Sequence, residues 1–368
     1  MLHNTPIHAV HCQSGAKMID FHGWHMPLHY GSQLAEHHAV RNASGIFDVS
    51  HMTILDVLGA GGRQFLRYIL CNDVDKLHAM GRAIYSCLCN EYGGIIDDLI
   101  VYQRAPDSYR LVFNATTKNR VLTWMREKMA GFSIGIQERN DQAILAIQGP
   151  EALRQLQAIL DPIEAQAISQ LNRFECIDIN QSFFARTGYS GEDGFEIMLP
   201  DDLACALWLR CIEQGIQPCG LGARNTLRLE AGMLLSGQDM DEKTTPLESG
   251  LAWNIEWSTG ERNFIGMGAL LAQQQRGTER RLVGLIAEPG PSMRPGQSVS
   301  IDGMCVGHIT SGSFSPTLGQ PIALARLLTH TASPVTVDVA GKPRQAIITK
   351  PPFISKKYAK KGRFDESK

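Results

Sequence analysis

Residues 83–103, AIYSCLCNEYGGIIDDLIVYQ, read as two β-rich runs, AIYSCLCN and IIDDLIVYQ, with Gly93-Gly94 between them as turn residues. Working outward, YRLVFNAT follows as another strand, and TKNRVLTWMREKMA carries helical periodicity. Upstream, TILDVLG alternates like a strand and GRQFLRYIL reads as a short helix. Downstream, SIGIQER and QAILAIQ are strands, and EALRQLQAIL restarts as a helix after Gly149-Pro150. SFFARTGY and GFEIMLP flank a Ser-Gly-Glu-Asp-Gly turn and predict a hairpin. DDLACALWLRCIEQ is a helix with acids in its first turn, where the macrodipole favours them. ARNTLRLEAG is a short helix ended by Gly232. Strands and helices alternate without a regular βαβ rhythm, which predicts an α+β fold rather than a doubly wound parallel sheet. From about Arg280, RRLVGLIAE, VSIDGMCVGHITSG, PIALARLL and PVTVDVAG are short β segments at close spacing, the pattern of a separate small all-β domain.

The chain has 368 residues, more than one ordinary core holds, so two or three domains are expected. Apolar residues make up 43% and charged residues 20%, as in a soluble globular protein. A net charge of -2 gives no overall bias toward nucleic acid. No apolar run approaches the roughly 18 residues of a membrane span. Nine scattered cysteines without paired C-x-x-C knuckles read as reduced thiols. MLHNTPIHAVHCQSG has neither an apolar core nor an Arg/Ser-rich character, so a cytoplasmic location is expected. G-x-G-x-x-G, P-loop and G-x-S-x-G patterns do not occur. His22, His25, His29, His37, His38 and His51 are spaced too loosely for a zinc motif, and Pro27 breaks any helix that would align the first three.

Three stretches carry candidate chemistry. In GGIIDDLIVYQ, two carboxylates sit in a strand apolar on both faces, so each needs a partner or a task. Strand parity puts Asp97 with Ile95, Leu99 and Val101, and Asp98 on the opposite face. Parity does not say which is catalytic, and a purely structural role for both stays open. In RTGYSGEDGFEIML, Glu192 and Asp193 fit a solvated turn, whereas Glu196 lies between Phe195 and Ile197, where an acid is less expected. A carboxylate held there suits a ligand with two parallel N–H donors, such as an aminopyrimidinone; a cross-strand ion pair is the alternative. In LGARNTLRLEAG, Arg224 and Arg228 are four apart and share a face, so something anionic or a carbonyl belongs between them; a surface helix with ordinary ion pairs is the alternative.

The chain resembles the glycine cleavage T-protein family over nearly its whole length. The stretches that carry the likeness are FHGWHMPLHYGSQLAEHHAVRNASGIFDVSHM, NEYGGIIDDLIVY, AIQGP, RTGYSGEDGFEI, CGLGARNTLRLEAGMLLSGQDMDEKTTPLE and ITSGSFSPTLGQPIALA, in that order. The resemblance implies a three-lobed aminomethyltransferase fold, with two interleaved N-terminal α/β subdomains over residues 1–278 and a C-terminal β-barrel over 279–368. It implies transfer of the one-carbon unit from the aminomethyl-lipoyl arm of H-protein to tetrahydrofolate as co-substrate, with no metal. The products would be 5,10-methylenetetrahydrofolate, ammonia and dihydrolipoyl H-protein. The expected partners are the lipoylated H-protein and the other glycine cleavage components, not nucleic acid or membrane. By position, the family's catalytic aspartate is the first of the pair, Asp97. Its pterin-binding glutamate matches Glu196 and its ligand arginine Arg224. Tyr358, Tyr85, Asn114 and Met52 match folate-cavity positions. An ordinary aspartate is ionised at neutral pH, which suits electrostatic stabilisation better than acid catalysis.

Asn225 stands where the family usually has Asp, which would weaken any charge that orients Arg224, and Ser190 replaces a usual Thr. The basic stretch Lys356–Arg363 is expected to help dock an acidic H-protein. Rival readings are a folate domain of a dimethylglycine or sarcosine oxidase, for whose flavin domain the chain has no room; a folate-binding protein with a K-G-C-Y-T-G-Q-E signature, here absent; and a scaffold that docks lipoyl domains.

Overall fold

The computed structural model describes residues 2–257 and 262–354. The quoted hairpin is strands Arg82–Cys89 and Ile95–Ala105, paired antiparallel. They form one edge of a five-stranded sheet that continues through Ser108–Phe113, Thr53–Leu58 and Gly135–Glu138. Every strand comes from the contiguous stretch 53–138. On one face, Leu55, Leu99, Val101 and Leu111 pack against Phe65, Leu66, Leu122 and Met125 of the helices Gly62–Ile69 and Lys118–Lys128.

This lobe is inserted into another. A six-stranded sheet runs in the order Cys176–Ile179, Ser182–Ala185, Gly194–Pro200, Gln142–Gln148, Gly45–Asp48, Gln217–Pro218. It takes one strand before the insertion and the rest after it. Its only parallel pairing joins Gln217–Pro218 to Gly45 and Ile46, so the chain is α+β, as its rhythm predicts. Trp208, Leu207 and Cys211 of helix Asp201–Glu213 fill the core on its outer face, each large apolar side chain contributing about 1.5–3 kcal/mol. The inner faces of the two sheets meet. Phe47, Ala146, Phe183 and Met198 from one pack on Ile54, Ala83, Tyr102 and Val112 from the other.

Strands Arg280–Ala287, Gln320–Leu328, Met304–Ser315, Ser298–Ile301, Val335–Val339 and Lys342–Thr349 close into a six-stranded barrel around Leu285, Val299, Ala325 and Val337. A buried polar joint ties it to helices Gln33–Asn42 and Leu221–Glu230. Glu230 accepts from Arg41 (2.8 Å), from Ser315 (2.5 Å) and from the Thr317 hydroxyl (2.8 Å). Arg41 also pairs with Glu192 at 2.7 Å, so Glu192 is not the solvated turn residue expected from the sequence. An arginine fixed by two carboxylates draws it inward.

Candidate active site

One irregularity resets the parity of the acidic strand. Leu88 lies opposite Asp97 but Cys89 lies opposite Ile95, so Ile96 is an extra, bulged residue. Ile96 therefore joins Leu99 and Val101 in the core of the inserted lobe, and Ile95 turns to the other face, with Cys87 and Cys89. The expected grouping of Asp97 with Ile95 is corrected accordingly. Asp97 itself is 0% exposed. It accepts from the Asn114 backbone N–H (3.2 Å), the Asn114 side-chain amide (2.8 Å) and the Thr117 hydroxyl (2.5 Å). Burial pushes its carboxyl up against these donors.

Asp98 is half-buried and shares its face with Ile100 and Tyr102, the face that looks across to the six-stranded sheet. It accepts from the Tyr85 hydroxyl and the Asn114 amide, each at 2.9 Å. Burial, together with the Asp97 charge beside it, pushes the Asp98 carboxyl up to about 7. The sequence expectation of an ordinary aspartate concerns Asp97, whose carboxyl burial also pushes up, because two acids share one dry corner. The charge of Asp98 is felt by Tyr189 and Arg224 across the gap. The Trp253 indole stacks on Tyr85 at 5.8 Å and is 66% exposed, which puts an aromatic wall at the rim.

The facing wall comes from the six-stranded sheet and helix Leu221–Glu230. Glu196, Arg224, Tyr189, Gln148 and Phe47 line one cavity. Glu196 lies opposite Ala146 and Ala185, whose small side chains leave room above it. One Glu196 oxygen accepts from Thr187 at 2.5 Å, and Thr187 is tied to the Tyr102 hydroxyl at 3.1 Å. Burial raises the Glu196 carboxyl, opposed by Thr187 and the Arg224 charge. Gly188 is required beside it, because a Cβ there would run into the Gln148 amide. Gln148 in turn accepts from Ser190 at 2.7 Å and donates to the Thr187 carbonyl at 3.0 Å.

Arg224 lies over the Tyr189 ring at 4.4 Å and reaches Met52 Sδ at 3.8 Å. Among the described residues it makes no ion pair, whereas Arg228 is saturated by Asp239 (2.8 Å), Asn225 (3.0 Å) and Ser311 (2.9 Å). Asn225 thus orients Arg228, not Arg224, which removes the expected consequence of the missing Asp. The helix is not a surface helix either, since Thr226 to Glu230 are buried.

The structure therefore brings Tyr85, Asn114 and both aspartates to one wall and Glu196, Arg224 and Met52 to the other. Tyr358 and the basic stretch Lys356–Arg363 lie outside the described residues. Tyr189 stood unremarked inside a quoted motif. Thr117 and Trp253 belonged to no functional pattern, and only the stacking and hydrogen bonds reveal them.

Two domain families match the chain: the GCVT N-terminal domain over residues 7–259, and the glycine cleavage T-protein C-terminal barrel domain over 280–354. An aminomethyltransferase of Legionella pneumophila is 58% identical over 354 residues, which are 96% of this chain and 98% of that protein. One from Stenotrophomonas maltophilia is 48% identical over 98% of this chain and 99% of its own length. The crystal structure of glycine cleavage system aminomethyltransferase T from Bartonella henselae superposes with a TM-score of 0.90 at 33% identity, covering 96% of this chain and 98% of that one. Two interleaved lobes followed by a C-terminal barrel define the three-lobed class of tetrahydrofolate-dependent transferases. Within that class, the chain belongs to the glycine cleavage T-protein family, and it is an aminomethyltransferase.

Proposed function

We propose that this chain moves the one-carbon unit of an aminomethyl-lipoyl arm, carried by H-protein, to tetrahydrofolate. The products are 5,10-methylenetetrahydrofolate, ammonia and dihydrolipoyl H-protein. The observation that carries the reading is Asp98 set across from an Arg224 that makes no ion pair among the described residues and a Glu196 held by Thr187 through one oxygen. Glu196 accepts the parallel N–H groups of the aminopyrimidinone ring through its two oxygens, the one bonded by Thr187 keeping a second lone pair, and Arg224 donates to the ring carbonyl. Tyr189, already under Arg224, and Met52 pack on the ring, while Trp253 and Tyr85 guide the rest of the folate inward.

Closing the methylene bridge takes one proton from each of two folate nitrogens, and the departing amine and the departing lipoyl sulfur each gain one. A carboxyl near pKa 7 is matched to both tasks at neutral pH. Asp98 takes the first proton, returns it to the amine, and as carboxylate stabilises the positive charge that develops on the carbon. This moves the central role from Asp97, the first of the pair, to its neighbour. Asp97 is assigned a positioning role through Asn114, which its carboxylate holds against Asp98. The domain boundary belongs between 278 and 279, supported by the first barrel strand starting at Arg280. A cytoplasmic location is supported by nine free cysteines.

The test is ammonia release from aminomethylated H-protein with tetrahydrofolate. Asp98→Asn should lower turnover by roughly 10²–10⁴-fold with folate binding retained. Near-normal turnover would remove Asp98 from the chemistry, and a deeper loss in Asp97→Asn than in Asp98→Asn would return the central role to Asp97.

A further inference from the structure

Beside Asp98, in the hairpin that carries it and the segment next to it, lie three thiols that the transfer reaction does not use. Cys71, Cys87 and Cys89 are each 0% exposed and share one small core with Ile95 and Phe264. The backbone sets Cys71 and Cys87 face to face. Leu70 bridges Leu88 in antiparallel register, so Cys71 is opposite Cys87, and the Cys71 N–H donates to the Cys87 carbonyl at 3.0 Å. Opposed residues of this kind have Cα atoms about 5.5 Å apart, inside the range of about 4.4–6.8 Å that a disulfide spans.

We propose that Cys71 and Cys87 are an oxidative modification site, at which peroxide closes a disulfide next to Asp98 in the catalytic wall. The Cys71 thiolate attacks hydrogen peroxide, taking one oxygen as sulfenic acid while the other leaves as water. The Cys87 sulfur then displaces that oxygen as a second water, so two thiols are oxidised and one peroxide is reduced. The direction of attack follows from the surroundings. Burial opposes ionisation of all three thiols, but Cys87 and Cys89 donate toward the Cys71 sulfur, which lowers its pKa and raises theirs.

The bond would be felt at the site. Cys87 is the cross-strand partner of Asp98 and lies two residues from Tyr85. The Asn254 amide donates to Cys87 Sγ at 3.5 Å, and its oxygen has no partner among the described residues. Trp253, the next residue, is the one stacked on Tyr85. Drawing Cys87 sulfur toward Cys71 breaks the Asn254 contact and loosens the Trp253–Tyr85 stack. This consequence rests on reading that wall as the folate site, whereas the disulfide itself does not.

The experiment treats the full chain with hydrogen peroxide, then blocks free thiols in denaturant and maps the peptides. The expected product joins Cys71 to Cys87. Recovery of Cys71 as a free thiol while the exposed Cys12 and Cys305 are oxidised would overturn the site, and a Cys71–Cys89 link would overturn the pairing. Tetrahydrofolate affinity of the oxidised protein should fall by about tenfold and return with dithiothreitol. Cys71→Ser, with Cys71→Ala as a second variant, should keep basal turnover and lose the peroxide response. An equal peroxide response in both variants, or a linked protein with unchanged folate affinity, would refute the coupling to the site.

Discussion

The Tyr85 hydroxyl donates to Asp98 Oδ2 at 2.9 Å, and it does so from a half-buried side chain stacked on Trp253. Burial and the Asp98 charge hold the phenol well above its ordinary range, so Tyr85 keeps its proton and remains a donor. Asp98 therefore stands between two opposing influences. Burial and the Asp97 charge raise its pKa, while Tyr85 and Asn114 lower it.

That balance predicts opposite shifts from two substitutions. With Asp98 as the proposed proton acceptor, kcat/KM should rise with pH through a limb near 7. Asp97→Asn removes a neighbouring charge and should move the limb to lower pH. Tyr85→Phe removes a donor to the carboxylate and should move it to higher pH. A pH-rate profile of each variant checks this, and two limbs that stay where the wild type has them would show that Asp98 is not the titrating group.

Glu196 is argued to bind, not to react. Glu196→Ala should weaken tetrahydrofolate by about 1–3 kcal/mol with little change in the position of the pH limb. Thr187→Val should cost less, since it removes a group that aims the carboxylate without touching the ligand. Calorimetric titration measures both, and a Glu196→Ala protein that binds as tightly as wild type would exclude the contact.

Much of this site was legible in the sequence, and the exceptions have physical causes. Alternation marked the acidic strand and its hairpin partner, because period-two burial is written residue by residue. It misassigned Ile95, because a one-residue bulge at Ile96 leaves no mark on composition. Glu196 stood out as an acid between apolar neighbours. Glu192 did not, because its partner Arg41 lies 151 residues away in sequence. The proposed choice between Asp97 and Asp98 turns on what each face meets, and that depends on the packing of two sheets built from interleaved segments, which no local pattern records. The barrel was plain from its short, closely spaced strands, whereas the Glu230 joint that fastens it needs three distant segments at once.

The Asn225 position makes a prediction against the family pattern. Asn225 Oδ1 accepts from Arg228 Nε at 3.0 Å, and Arg228 already pairs with Asp239. Asn225→Asp would add a charge to that pair and leave Arg224 alone. Folate affinity should stay within about twofold, measured by titration, and a large gain would mean that the residue acts on Arg224 after all.

Glu230 is the last case, and here the effect is on stability. Burial alone would raise its carboxyl, but hydrogen bonds from His37, Ser315 and the Thr317 backbone bring it from an ordinary 4.5 down to about 2. Burial lowers the His37 pKa, so near neutral pH its ring serves Glu230 mainly as a hydrogen-bond donor. A carboxyl with a depressed folded-state pKa favours the folded chain at pH above its unfolded value. That contribution is complete above about 4.5 and drains away as the pH falls toward 2. Glu230→Gln leaves Arg41 with one carboxylate instead of two and should cost about 3–5 kcal/mol at neutral pH. Because only the wild type loses stability on protonation here, the gap between the two proteins should narrow steadily through the acid range. Urea unfolding at a series of pH values follows it. A gap independent of pH would show that shape, not charge, holds the barrel to the helices.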